Sequence, residues 1–332
     1  MRRRRFLELS TAGAAALLPQ PILGFTPLSQ PGFKEKLTFG LVADVHHGMI
    51  PDTQARLESF LEDAKKQKVD FIIQLGDFCH GVEKSKPFLR TWNNFAGPKY
   101  HVLGNHDMDL TSKEEVMDFW GMESNYYGFE EKGIRFLVLD ANFLYQDGKF
   151  IPYNKANFYV DSNLRTFIDK EQIEWFGAEL AASQLPVVVI SHQSLWHYQW
   201  GVKNRLSLQK LMEQHAEKVI CCFNGHNHID FHHQQNGINY LEVNSMSYQW
   251  IGEQHKTSRY PPELLKEYKW LEHLAPYEDP LYAFVEISPE GVLAMTGKKS
   301  KWMSPPPAEV GVPAQPFGNR YSAEISDYEI EF

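Results

Sequence analysis

Five short segments carry side chains able to bind metal: Asp44-Val45-His46, Gly76-Asp77, Gly104-Asn105-His106-Asp107, Ser191-His192 and Gly225-His226-Asn227-His228. Carboxylate, amide-oxygen and imidazole donors with no thiolate among them suit Mn, Fe or Zn. Each segment follows an apolar run, and open α/β sheets build their sites at the carboxyl ends of strands. The glycines at 76, 104 and 225 suit turns in which the backbone leaves a sheet sharply. Asp44 and His46, two residues apart, are expected to project to one side of an extended strand end. One such segment carries little weight alone. Five in the same strand-end position point to a single site.

The elements that must hold these segments read as an α/β chain. Apolar runs at 37–43, 69–75, 99–103, 187–190 and 218–223 are predicted strands, and helical patterns cover 53–66, 87–94, 170–182 and 205–215. Strand, helix, strand at this spacing builds a layered α/β sheet. Hairpins are predicted at 126–139, at 230–243 about Asn236-Gly237, and at 282–296. Residues 163–166 and 252–262 read as loops, 263–274 as a packing helix, and the Pro- and Gly-rich stretch 300–319 as an extended, poorly structured tail.

The five motifs in this order resemble the calcineurin-like metallophosphoesterase superfamily. The resemblance covers about 37–243 and implies a four-layer α/β/β/α sandwich of two mixed sheets flanked by helices. It implies that Asp44, His46, Asp77 and His228 hold one metal. Asp77 would bridge to a second, held by Asn105, His192 and His226. Two transition ions of this kind, divalent or trivalent, supply a hydroxide nucleophile at neutral pH. His106, beside Asn105, is the expected general acid. Some family members place an Asp three residues after the bridging Asp to orient that histidine, and purple acid phosphatases place a metal-binding Tyr there. This chain has His80, which argues against a purple-type site and moves the orienting role to Asp107.

The chain has 332 residues, 43% hydrophobic and 23% charged, a globular balance with a formal net charge of -9. That charge argues against non-specific nucleic-acid binding, whereas metal ions can still draw a small phosphorylated substrate. Residues 1–25 read as a signal peptide. Arg3-Arg4-Arg5-Phe6-Leu7 before a short apolar run resembles the twin-arginine motif. Export by the twin-arginine machinery, a periplasmic location and no transmembrane anchor in the mature chain are therefore expected. The catalytic domain is placed at 34–298 and the extended tail at 299–332. Three cysteines, Cys79, Cys221 and Cys222, do not make a disulfide framework. His47, His232 and His233 are read as surface or supporting residues. Trp196, His197, Tyr198 and Trp200 follow His192, while Tyr248 and Trp250 follow the second hairpin. These aromatics either wall the site or stack on a substrate ring. They favour a phosphodiester or nucleotide-like substrate over a monoester. The reading from another class is a catalytically inactive scaffold, which the full set of ligands opposes.

Overall fold

The computed structural model describes residues 33–197 and 200–332. The segment read as an export signal lies outside the described residues, as does Tyr198 of the aromatic loop. No helix among the described residues is long and apolar enough to cross a membrane.

β1 (Leu37–Val42) leads to α1 (Thr53–Gln67), whose Leu57, Phe60 and Ala64 recur at helical spacing on the buried face. β2 (Phe71–Gln74), α2 (Lys86–Asn93) and β3 (Lys99–His101) follow. α3 (Lys113–Trp120) starts at a capping box of Ser112 with Glu115 and stops at Gly121, whose φ of 77° favours glycine. β4 (Tyr127–Glu131) and β5 (Ile134–Leu139) form the first hairpin. β6 (Phe143–Gln146), β7 (Lys149–Pro152) and β8 (Arg165–Phe167) make a small sheet of their own. α4 (Lys170–Ala182), capped by Asp169, precedes β9 (Val187–Ser191), α5 (Arg205–Glu213) and β10 (Val219–Asn224). β11 (Phe231–Gln235) and β12 (Ile238–Glu242) turn at Asn236-Gly237, both at positive φ as the tight turn requires. β13 (Tyr248–Trp250), α6 (Pro262–Glu267), β14 (Leu274–Pro276), β15 (Ala283–Ser288), β16 (Val292–Gly297) and β17 (Tyr328–Glu331) complete the order.

Two six-stranded sheets result, ordered β17-β16-β15-β1-β2-β3 and β11-β12-β10-β9-β5-β4. Both are mixed: β1 runs parallel to β2 but antiparallel to β15, and β9 runs parallel to β5 and β10 beside antiparallel outer pairs. Their inner faces share one core. Phe39 stacks on Phe71 at 4.7 Å and meets Phe136 of the opposite sheet edge-on at 5.7 Å. Such pairs add about 0.5–1.5 kcal/mol beyond the burial of their area. α1, α2 and α3 cover the outer face of the first sheet through Leu57, Phe88, Trp92 and Val116. α4 and α5 cover the second through Phe176, Leu180, Leu208 and Met212. The expected α/β/β/α layering is the observed one.

Three local expectations change. The tail is not extended to its end: β17 pairs with β16, and Ile325 and Ile330 are buried in the inter-sheet core. The predicted helix over 263–274 stops at Glu267, where Tyr268 leaves helical geometry, because Leu271 and Leu274 turn inward against Ile50 and Tyr248. Residues 163–166 form a short 3-10 turn and the start of β8.

Candidate metal centre

Six of the seven expected ligand side chains converge beyond the carboxyl ends of β1, β2, β9 and β10, and Asn105, after β3, lines the same cleft. Two groups form, Asp44 with His46 and His228, and Asp77 with His192 and His226. Projection from an extended strand does not achieve this. Asp44, His46, Asp77, His226 and His228 all have left-handed backbones, with φ between 49° and 70°. Non-glycine residues in that region carry a cost of about 1–3 kcal/mol each, which the surrounding structure must hold in place. Five of the seven candidate ligands carry this strain.

Each aspartate divides its two oxygens. Asp44 Oδ2 accepts from the His226 amide at 2.9 Å, and its Oδ1 is buried with no hydrogen-bond partner. Asp77 Oδ1 accepts from the His106 amide at 2.7 Å, while Oδ2 lies 3.2 Å from His192 Nε2 and 3.7 Å from His46 Nε2. The imidazoles are set from behind. His192 Nδ1 donates to the Leu75 carbonyl at 2.7 Å and His228 Nδ1 to the Tyr248 carbonyl at 2.8 Å. That fixes the tautomer and turns both Nε2 lone pairs inward. His228 Nε2 then faces His46 Nε2 at 3.1 Å and the orphaned Asp44 Oδ1 at 3.2 Å, while His192 Nε2 lies 3.3 Å from His226 Nδ1. Inward lone pairs and an orphaned carboxylate oxygen form a donor set suited to cations. Burial pushes His46 and His226 well below the ordinary histidine range. Burial also disfavours charge on His192, but Asp77 and then Asp44 outweigh it and raise it to about 9.

Around this centre the supporting residues differ from expectation. Asp107 does not touch the His106 ring. Its carboxylate accepts from the backbone amides of Asp77 at 3.0 Å, Phe78 at 2.7 Å and Gly104 at 2.8 Å, pinning two of the ligand loops together. The carboxylate on His106 is Asp109, whose Oδ2 accepts from Nδ1 at 2.8 Å. Burial opposes charge on His106, yet Asp77 and the Asp109 hydrogen bond raise it to about 9. His80 sits beside the same carboxylate at 4.0 Å, and Tyr159 Oη lies 3.4 Å from His106 Nδ1. Asn105 is buried, with Gln193 Nε2 at 3.4 Å from its Oδ1 and Gln193 bonded in turn to Asn142 at 2.7 Å. Asp109 was detectable in the sequence as an acid three residues after a histidine, a spacing that eclipses side chains on a 3-10 turn. Nothing local marks Gln193 or Tyr159.

His47 stacks on Phe88 at 4.2 Å, and burial, then Lys84, lowers it to about 4. His232 bonds Asn239, and His233 stacks on Trp196 at 3.9 Å, so Trp196 belongs to packing. Trp200, Tyr248 and Trp250 instead line the cleft, with Trp270 at its rim. Two arms of about 580 and 740 Å³ leave the candidate metal centre, both bordered by Trp200 and Trp250.

The calcineurin-like phosphoesterase profile matches residues 37–230. A manganese-dependent ADP-ribose/CDP-alcohol diphosphatase from Oryza sativa subsp. japonica is 25% identical, covering 58% of this chain and 77% of its own. A dimetal phosphatase from Danio rerio has a similar fold, with a TM-score of 0.57 at 17% identity over 80% of this chain and 98% of that one. GAP50, the anchor in the inner membrane complex of Plasmodium, is similar at a TM-score of 0.51 and 16% identity, over 90% of both chains. The chain belongs to the calcineurin-like phosphoesterase family and is a hydrolase.

Proposed function

We propose that this hydrolase works through a dinuclear metal centre on a phosphodiester or nucleotide-like substrate. Asp44, His46, Asp77 and His228 would hold one ion and Asp77, Asn105, His192 and His226 the other. The observation that carries this reading is Asp77, whose inward oxygen lies between His46 and His192 while its other oxygen is held by a backbone amide. When bound, the two ions, Mn, Fe or Zn by donor chemistry, supply an activated water and offset charge on the phosphoryl oxygens. His106 stands over the centre with its Nδ1 proton given to Asp109, which leaves Nε2 to donate a proton to the departing oxygen. Trp200 and Trp250 offer flat faces to a base or ring. The diphosphatase name of the rice relative and these aromatic walls support a diester or nucleotide diphosphate over a monoester.

Metal-loaded protein assayed in parallel on nitrophenyl phosphate and bis(nitrophenyl) phosphate tests the reading. The expected result is a kcat/KM at least about tenfold higher on the bis-ester, roughly 1.4 kcal/mol of transition-state preference. A tenfold preference for the monoester would overturn the diester reading.

A further inference from the structure

The cleft arm beyond His106 carries two cations for which the hydrolytic step above has no use. Arg165 and Lys203 both line it, half-buried, on segments joined by the Lys203 amide donating to the Thr166 carbonyl at 2.8 Å. The Arg165 guanidinium gives one N–H to the Phe158 carbonyl at 3.1 Å. Among the described residues, neither side chain forms an ion pair with a carboxylate. Asp161 is close enough to favour the Lys203 charge, but one of its oxygens is taken by the Asn163 amide at 2.8 Å. Burial first, then Arg165 and Arg205, pushes the Lys203 ammonium below its ordinary value. A chain with a formal charge of -9 therefore gathers like charges, half out of water, in the wall of its own site. Such an arrangement is unfavourable until an anion joins it.

Its position relative to the reaction is defined. Phe158, whose carbonyl holds Arg165, meets the His106 ring edge-on at 6.0 Å, and Tyr159 reaches His106 Nδ1. The cation pair thus shares one cleft arm with His106, the residue that would protonate the leaving oxygen. We infer that Arg165 and Lys203 form a subsite for a second phosphate, the one carried by the leaving group, so that the scissile oxygen joins two phosphoryl groups. The inference rests on the two-metal reading and narrows it to diphosphate diesters. The step balances: water adds to one phosphorus, the bond from that phosphorus to the bridging oxygen breaks, and the His106 proton goes to that oxygen. One water is consumed and two phosphomonoesters form. The guanidinium fork matches the phosphate oxygens of the departing product, and the ammonium adds a point charge.

The test uses the metal-loaded full chain with a nucleoside diphosphate sugar and bis(nitrophenyl) phosphate as probes. In Arg165→Gln/Lys203→Gln the ratio of kcat/KM on the diphosphate to that on the bis-ester should fall about 30-fold or more. Arg165→Lys should recover part of it. Calorimetric binding of a methylene-bridged diphosphonate analogue should weaken about tenfold in Lys203→Gln, a variant that removes no hydrogen bond of the ammonium among the described residues. A ratio unchanged within about threefold, or an equal fall on both probes, would overturn the subsite. If the wild type turned over neither probe, the proposed diester function would fall, and analogue binding would still decide the subsite.

Discussion

Replacing Asp109 with Asn should slow the reaction by an amount that depends on the leaving group. The carboxylate accepts from His106 Nδ1 at 2.8 Å, and no other carboxylate among the described residues makes a hydrogen bond to that ring. Asn keeps the shape but loses the charge, so a charged hydrogen bond of about 1.5–3 kcal/mol becomes a neutral one of about 0.5–1.5. The difference, about 1–2 kcal/mol, corresponds to roughly 5- to 30-fold in kcat where protonation of the leaving oxygen limits the rate. A diester that loses an alkoxide should show that loss. One that loses nitrophenolate, which needs no proton, should show about a threefold loss or less. Elemental analysis should find the metal content of Asp109→Asn equal to wild type, since Asp109 is outside both ligand groups. Asp107→Asn should behave differently. It disturbs an acceptor of three amides, including that of Asp77, and should lose metal and activity on both substrates. An equal loss on both esters in Asp109→Asn, or the leaving-group pattern in Asp107→Asn with metal retained, would refute this assignment.

Two further predictions concern the scaffold. A Cβ at Gly104 would overlap the Asp77 amide and carboxylate, both held close by other bonds, so Gly104→Ala should lose bound metal while keeping its far-ultraviolet spectrum; full metal content would contradict the packing. His101, buried against Trp120, is lowered to about 3 by burial and then Lys99. Its unfolded value, near 6.5, is the higher of the two, so the unfolded chain takes up the proton first. The associated stability is present above about pH 6.5 and is lost as pH falls toward 3, amounting to about 3 kcal/mol between pH 7 and pH 4. In metal-free protein, His101→Phe should narrow the Tm gap between pH 7 and pH 4. Gln74 keeps its Val102 carbonyl partner in that variant, so an unchanged gap would count against the buried neutral histidine.

The candidate metal ligands were legible because most of them follow strands, and burial on both faces gives continuous hydrophobic runs in β2, β9 and β10. The means of convergence was not legible. Left-handed backbones at Asp44, His46 and Asp77 come from amides tied across loops, such as His46 donating to the Asp77 carbonyl at 2.8 Å, and no residue-type preference signals them. Sequence adjacency points to Asp107 as the partner of His106, whereas the 3-10 turn brings Asp109 to its Nδ1 instead. The helix pattern through 263–274 yielded to the burial of Leu271 and Leu274 beside Tyr248. β17 was hidden by the Pro and Gly upstream, although Tyr-Glu-Ile-Glu alternates as a half-buried edge strand should. Arg165 and Lys203, 38 residues apart, meet only through the contact between β8 and the loop before α5.

The central claim is a bridged pair of ions, and elemental analysis of the purified chain tests it most directly. Close to two transition-metal ions per chain are expected after reconstitution with Mn, Fe or Zn, falling to one or none in Asp77→Ala as the shared ligand is removed. Fewer than one ion per wild-type chain under those conditions would contradict the account.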